Sequence, residues 1–158
     1  TTKLFISYAR SVLEYCSIVW SPIDQCHKLL IEKQQRRFLK YLIFKCDKVY
    51  SPRKYPQELM LQRFGLKALE ARREVAAVKF LYNVVNNLVD VIDIVSMLNF
   101  RIPQKFLRNS DTFYLPKCRN KYAKKSPIYF ICSVYNKCGN NDLFFDKLGN
   151  ILREISGS

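Results

Sequence analysis

Lys33, Arg36, Arg37 and Lys40 recur at intervals of three, one and three residues. At about 100° per residue they occupy an arc of about 100° on a helix, while Ile31, Phe38 and Leu42 gather on the opposite side. Such a row of cations is suited to binding a polyanion. Like charges this close cost about a few tenths of a kcal/mol per pair on an isolated helix, and an overlying row of phosphates removes that cost. Glu32 is the only acid beside the row. A second set, Arg101, Lys105, Arg108, Lys117, Arg119, Lys121, Lys124 and Lys125, is interleaved with Phe106, Phe113, Tyr114 and Tyr122. Cations hold phosphates there and aromatic faces stack on bases. The plainer alternative makes the helical row a solvated face and has Phe106, Phe113 and Tyr114 pin the loop to a core; Tyr122 fits either role. Gln34 and Gln35 offer sugar or minor-groove contacts, although Gln35 also borders the apolar face and is suited to packing.

The total charge sharpens this reading once it is divided along the chain. The 158 residues hold 27 Lys and Arg against 13 Asp and Glu, a net +14. Residues 28–54 carry nine basic and two acidic side chains and residues 99–125 carry eight and one, so each block holds +7 and the remainder is neutral. Charge concentrated in this way points to nucleic acid rather than to general solubility. An anionic membrane surface fits less well, because the basic helix lacks the bulky apolar face of an interfacial anchor.

Catalytic chemistry is hard to assemble from what remains. There is no phosphate-binding glycine loop, no G-x-S-x-G elbow and no H-E-x-x-H pair, and a single histidine leaves little for proton transfer. Asp90 and Asp93 suit a helix start better than a metal. The six cysteines, at 16, 26, 46, 118, 132 and 138, contain no C-x-x-C, and His27 directly follows Cys26. That spacing opposes both a disulfide framework and structural zinc. Cys16 and Cys132 lie in apolar helical runs and are expected to be reduced core thiols. No metal or cofactor is expected, and the chain alone is not expected to be an enzyme.

The elements that must position these residues read as all-α, a bundle of five to seven helices. Hydrophobic residues make up 49% of the chain and glycines number only 4, which disfavours both disorder and a turn-rich barrel. Phe5, Tyr8, Ala9, Val12, Leu13, Cys16, Val19 and Trp20 predict a helix over 3–20 burying one face, stopped by Ser21-Pro22. Asp24 caps a second helix running to about Phe44. Pro56 opens a short helix ending at Gly65, and Leu69 to Leu88 form the strongest helical period in the chain. Asp90–Leu98 is expected to be a further short helix. Residues 99–125 are irregular, with a short strand at Thr112–Leu115. Ser126-Pro127 opens a helix to Cys138 that Gly139 terminates, and Asn141 or Asp142 caps a last helix containing Leu143, Phe144 and Ile151. Val19, Trp20, Phe38, Leu42, Leu69, Phe80, Leu81 and Val84 are the expected core. The organisation that follows is a helical bundle over 1–98, a basic irregular segment over 99–125, and a helical pair over 126–158 packed on the bundle. No run of roughly 18 apolar residues offers a membrane span and no signal pattern opens the chain, so it is expected to be soluble and intracellular. It opens without Met inside a helical pattern, which predicts a fragment of a longer protein, and Ser156-Gly157-Ser158 reads as an added tail.

Leu13-Glu14-Tyr15-Cys16-Ser17-Ile18-Val19-Trp20-Ser21-Pro22, followed by Ile31-Glu32-Lys33-Gln34-Gln35-Arg36-Arg37-Phe38-Leu39, resembles the region directly after the polymerase palm in non-LTR retrotransposon reverse transcriptases, above all insect elements of the jockey type. Phe64-Gly65-Leu66 with Leu69-Glu70-Ala71-Arg72-Arg73, Lys79-Phe80-Leu81-Tyr82, Arg108-Asn109 leading to Phe113-Tyr114-Leu115-Pro116, and Ser126-Pro127 continue the resemblance in order. The resemblance implies a helical thumb and C-terminal extension that hold the template–primer duplex. It also implies an upstream palm as partner and a parent RNA-directed DNA polymerase working in nucleus and cytoplasm. The palm's Tyr-x-Asp-Asp motif has no match here, so polymerase chemistry is not implied for this chain. The expected nucleic-acid contacts, to an RNA–DNA hybrid or an RNA or DNA duplex, are Lys33, Arg36, Arg37 and Lys40 on the helix. Arg101, Lys105, Arg108, Lys117, Arg119, Lys121, Tyr122, Lys124 and Lys125 supply those of the loop. Tyr15, Val19 and Trp20 are expected to seat the second helix across the first. The competing expectation is a non-catalytic protein-interaction module, which an exposed apolar patch on the first or fourth helix would support.

Overall fold

Two serines shape the first helix. In the computed structural model, which describes residues 2–48, 55–102, 111–138 and 142–157, α1 is α-helical over Thr2–Leu4, π-helical over Phe5–Arg10 and α-helical again over Ser11–Glu14. Ser7 Oγ donates to the carbonyls of Lys3 and Leu4 (3.1 and 3.2 Å), and Ser11 Oγ to those of Ser7 and Tyr8 (2.5 and 3.2 Å). Hydroxyls that bond back to the preceding turn loosen the regular ladder, which here widens. The chain then breaks: Tyr15 is extended, Cys16 takes a left-handed φ of 48°, and α2 occupies only Ser17–Trp20.

This corrects the expectation of one helix over 3–20. Phe5 is buried and Ile6, Ala9 and Leu13 are half-buried, but Tyr8, Val12, Tyr15, Cys16, Val19 and Trp20 are exposed. Val19 and Trp20, at 64% and 40%, are not core residues, and Cys16 is not a core thiol. The wider turn carries the 3.6-residue pattern out of register, and the break at Cys16 ends it.

The remaining helices lie close to where capping and periodicity put them. α3 spans Gln25–Asp47; the Asp24 carbonyl accepts the N–H groups of His27 and Lys28, and Lys48 ends the helix with a φ of 58°. α4, Gln57–Phe64, follows Pro56 and stops at Gly65, whose φ of 61° suits glycine. α5 covers Leu69–Val85, α6 Ile92–Ser96, α7 Lys121–Lys124, α8 Pro127–Asn136 and α9 Leu148–Gly157. α5 stops short of Leu88, which is exposed. α9 starts later than expected because its two preceding acids close a turn. Asp142 accepts the Phe144 N–H (2.9 Å), and Asp146 accepts that of Asp142 (2.8 Å). Asn141 and Gly139 lie outside the described residues. At Thr112–Leu115 a single antiparallel bridge, Phe100 to Phe113, replaces the expected strand, and no strand occurs among the described residues. The fold is all-α.

The chain forms two compact units: Thr1–Ser17 with Pro22–Arg72, and Ile18–Ser21 with Arg73–Ser158. The division falls inside α5, and residues 99–125 share a unit with 73–98 and 126–158, so these units cut the chain differently from composition. In the first, Leu39 and Ile43 of α3 meet Met60 and Leu61 of α4 and Leu66, and Phe5 stacks on Phe38 with centroids 4.0 Å apart and planes within 6°. In the second, Ala77, Val78, Leu81 and Val84 of α5 pack with Ile131, Cys132, Val134 and Tyr135 of α8, together with Leu98, Phe113, Leu143 and Ile151. Leu42, Leu69, Leu81 and Val84 are buried as expected, while Phe38 and Phe80 are half-buried.

Candidate nucleic-acid interface

α3 turns Gln35, Leu39, Leu42 and Ile43 inward, which leaves Lys33 and Arg37 exposed and Lys40 half-exposed on the other side. Both acids within residues 28–54 are engaged away from this row. Glu32 Oε1 accepts the backbone N–H of Glu70 (2.8 Å) in the first turn of α5, and its Oε2 accepts Gln57 Nε2 (3.1 Å). Asp47 takes both terminal nitrogens of Arg63 at 2.7 Å. Those donors hold the Asp47 carboxyl below its ordinary range against the opposing effect of burial, and the pair raises Arg63. Lys28, the cation nearest the α3 start, is paired with Glu70 at 2.6 Å. Lys33 and Lys40 consequently have no carboxylate partner among the described residues, and Arg37 reaches only the amide oxygen of Gln34, at 3.4 Å.

Arg36 departs from its expected role. Its Nη2 donates to the Tyr55 carbonyl (3.2 Å) and its Nε is buried, so the guanidinium ties α3 to the residues before α4. Gln35 is fully buried and donates to the Lys67 carbonyl (3.0 Å), the packing role its position allowed. The outward face also carries apolar side chains that the charge pattern hid: Leu29, Leu30 and Tyr41 are 58%, 55% and 52% exposed. At about 100° per residue all three fall in the same half of the helix as Lys33. The face is a mixture of cations and apolar groups rather than a purely cationic stripe.

In the second unit Phe113 anchors the basic segment. It is 1% exposed and meets the Tyr135 ring edge-on at 5.6 Å, and its backbone N–H and C=O bond the two ends of the Asn136 amide at 3.1 and 2.9 Å. Arg101 pairs with Asp111, the one acid of this block, at 3.1 Å. Lys117, Arg119, Tyr122, Lys124 and Lys125 are exposed, and the Lys125 ammonium lies 5.6 Å from the centre of the Tyr122 ring. Tyr114, expected to pin the loop with Phe113, is instead 57% exposed, since neighbouring residues of an extended segment point to opposite sides. Lys105, Phe106 and Arg108 lie outside the described residues, as does the side chain of Lys121.

Comparison with protein-family models, with curated proteins and with solved structures returns no match. Among the described residues no helix is long and apolar enough to cross a membrane, and no group of three or more His, Cys, Asp or Glu side chains gathers as a metal would need. Cys26 Sγ and Asp24 Oδ2 stand 3.6 and 3.7 Å from His27 Nδ1, contacts that do not amount to a metal-binding group among the described residues. What the two basic faces offer chemically is point charges and guanidinium forks for phosphate oxygens, with exposed aromatic rings beside them.

Proposed function

We propose that this chain binds nucleic acid by its phosphate backbone, as the thumb and C-terminal region of a non-LTR retrotransposon reverse transcriptase. The observation that carries the binding half of the reading is the engagement of Glu32 and Asp47 with Glu70, Gln57 and Arg63, which leaves Lys33, Arg37 and Lys40 without carboxylate partners among the described residues. The ordered resemblance from Leu13 to Pro127 supports the thumb assignment, and the all-α fold is compatible with it. In this reading the chain grips a template–primer duplex, reads no sequence and performs no catalytic step; chemistry belongs to an upstream palm. Anisotropy of a labelled duplex titrated at rising salt tests it. With about six phosphates neutralised, log affinity falls with log salt at a slope of roughly −5. A slope near zero, or no binding at low salt, overturns it.

A protein-interaction module is the second reading, and α1 favours it. Leu4, Tyr8 and Val12 are 61%, 74% and 73% exposed and follow one another at intervals of four residues. Such a line of large apolar groups suits a protein partner, the absent palm included. Size-exclusion chromatography at high salt separates the readings: self-association that survives salt and disappears in a Tyr8→Ser, Val12→Ser variant supports the module, whereas a monomer supports the first.

A further inference from the structure

The second unit contains an open pocket of about 250 Å³ that neither reading above uses. Tyr114 and Tyr129 contribute to its wall, with Ile128 and the buried Cys132 among its apolar groups. Asn99 and Ser126 line it as well, the two residues there with an amide and an aliphatic hydroxyl. The backbone of the wall is held in place. The Tyr114 N–H bonds the Asn99 carbonyl at 2.8 Å, the preceding Phe113 is clamped by Asn136, and Tyr129 stands on α8 directly after Ile128.

Size and surroundings restrict what fits. A dry cavity of about 150 Å³ takes a benzene ring, so this one has room for a fused bicyclic ring, while drug-sized ligands occupy pockets of roughly 300–1,000 Å³. Four exposed cations adjoin the lining in sequence: Lys117 sits between Pro116 and Cys118, Arg119 follows Cys118, Lys124 follows Ala123 and Lys125 precedes Ser126. Each Cα is one peptide, about 3.8 Å, from that of a lining residue. A flat heteroaromatic ring with hydrogen-bonding edges and an attached anion satisfies the tyrosines, the Asn99 and Ser126 groups and the cations together. We propose that the pocket receives a single unstacked nucleobase whose phosphate is held by Lys117, Arg119, Lys124 and Lys125. The unit then binds a single-stranded extension of a nucleic acid, or a free nucleotide. Only the choice of a polymer over a free nucleotide rests on the backbone-binding reading.

Three probes on the full chain separate the possibilities: a blunt duplex, the same duplex with a short single-stranded extension carrying 2-aminopurine, and adenosine 5′-monophosphate. The extension should tighten binding roughly tenfold or more, as expected of one base stacked on an aromatic side chain. 2-Aminopurine fluorescence should be quenched, and the mononucleotide should bind saturably and relieve that quenching. Ala123→Phe, which fills the pocket from an exposed position, and Tyr114→Ala should abolish all three effects while leaving blunt-duplex affinity unchanged; Tyr114→Phe should retain them. Equal affinity for the two duplexes, with no quenching and no saturable mononucleotide binding, overturns the pocket even if blunt duplex binds. Saturable mononucleotide binding that Ala123→Phe removes, with neither duplex bound, upholds the pocket as a nucleotide site and sinks the backbone reading instead.

Discussion

Gln35 is buried completely, yet it was among the polar residues available for nucleic acid. Its Nε2 satisfies the Lys67 carbonyl, and its Oε1 has no partner among the described residues. Gln35→Ala strands that carbonyl and opens a void, so chemical denaturation should show a loss of about 1–3 kcal/mol while duplex affinity holds. Cysteine chemistry divides in the same residue-by-residue way. Burial pushes the Cys132 thiol from its ordinary value near 9 up to about 11, whereas Cys16, Cys26 and Cys46 are exposed. At neutral pH iodoacetamide should label those three and spare Cys132 until the protein is unfolded, as peptide mass spectrometry will read. The unfolded chain gives up the Cys132 proton first, so above pH 9 it binds fewer protons than the folded state and stability falls as pH rises toward 11. Cys132→Ala should lose that component of the pH dependence, measured as the difference between the two denaturation curves.

Among the elements, α5 depends on a residue from another helix at its start. Glu32 of α3 accepts the Glu70 N–H, an otherwise orphaned donor of the first turn, and holds Gln57 of α4 with its second oxygen. One carboxylate thereby joins three helices, and Glu14 adds a fourth by taking two nitrogens of Arg72, Nη2 at 2.9 Å and Nε closer still. Glu32→Ala should lower stability by about 1–2 kcal/mol, in the range of a lost helix cap, and Glu32→Gln should recover part of it by keeping an acceptor oxygen. α1 offers the opposite case. Its π segment contains Ser7 and runs up to Ser11, and both hydroxyls bond backwards, so changing both to Ala should add up to about 1 kcal/mol of stability in chemical denaturation.

For the molecule as a whole, net charge matters less than its distribution. Each basic block carries +7, and both acids of the first are engaged elsewhere, Glu32 by the Glu70 N–H and Gln57, and Asp47 by Arg63. Replacing Lys33, Arg37 and Lys40 by Ala should reduce the salt slope of duplex binding by about two to three units, because each lost phosphate contact removes about one unit of counterion release. Lys117, Arg119 and Lys124 to Ala should act similarly if the second block engages the same duplex, and unrelated sequences should weaken equally. An unchanged slope in the α3 triple would make that row a solvated face.

Periodicity, capping and charge are local properties, and what depends on them was legible in the residues alone: the all-α class, α3 behind Asp24, α4 between Pro56 and Gly65, α8 behind Ser126-Pro127, and the two basic blocks with neutral chain between them. Buried Leu42, Leu81 and Val84 follow from the same local pattern, since a helix carries its apolar stripe wherever it goes. Side-chain partners distant in sequence were beyond it. Glu32 looks like a counter-charge for Lys33 until α5 supplies an N–H to accept, Arg36 looks like a phosphate ligand until the Tyr55 carbonyl meets it, and Tyr114 looks like an anchor until Phe113 takes that place. The first helix shows the same limit within one element. Tyr8, Val12, Val19 and Trp20 keep a helical spacing, yet across a π segment and a left-handed Cys16 they lie outside, because hydrogen bonding and packing decide which side of a periodic segment is buried.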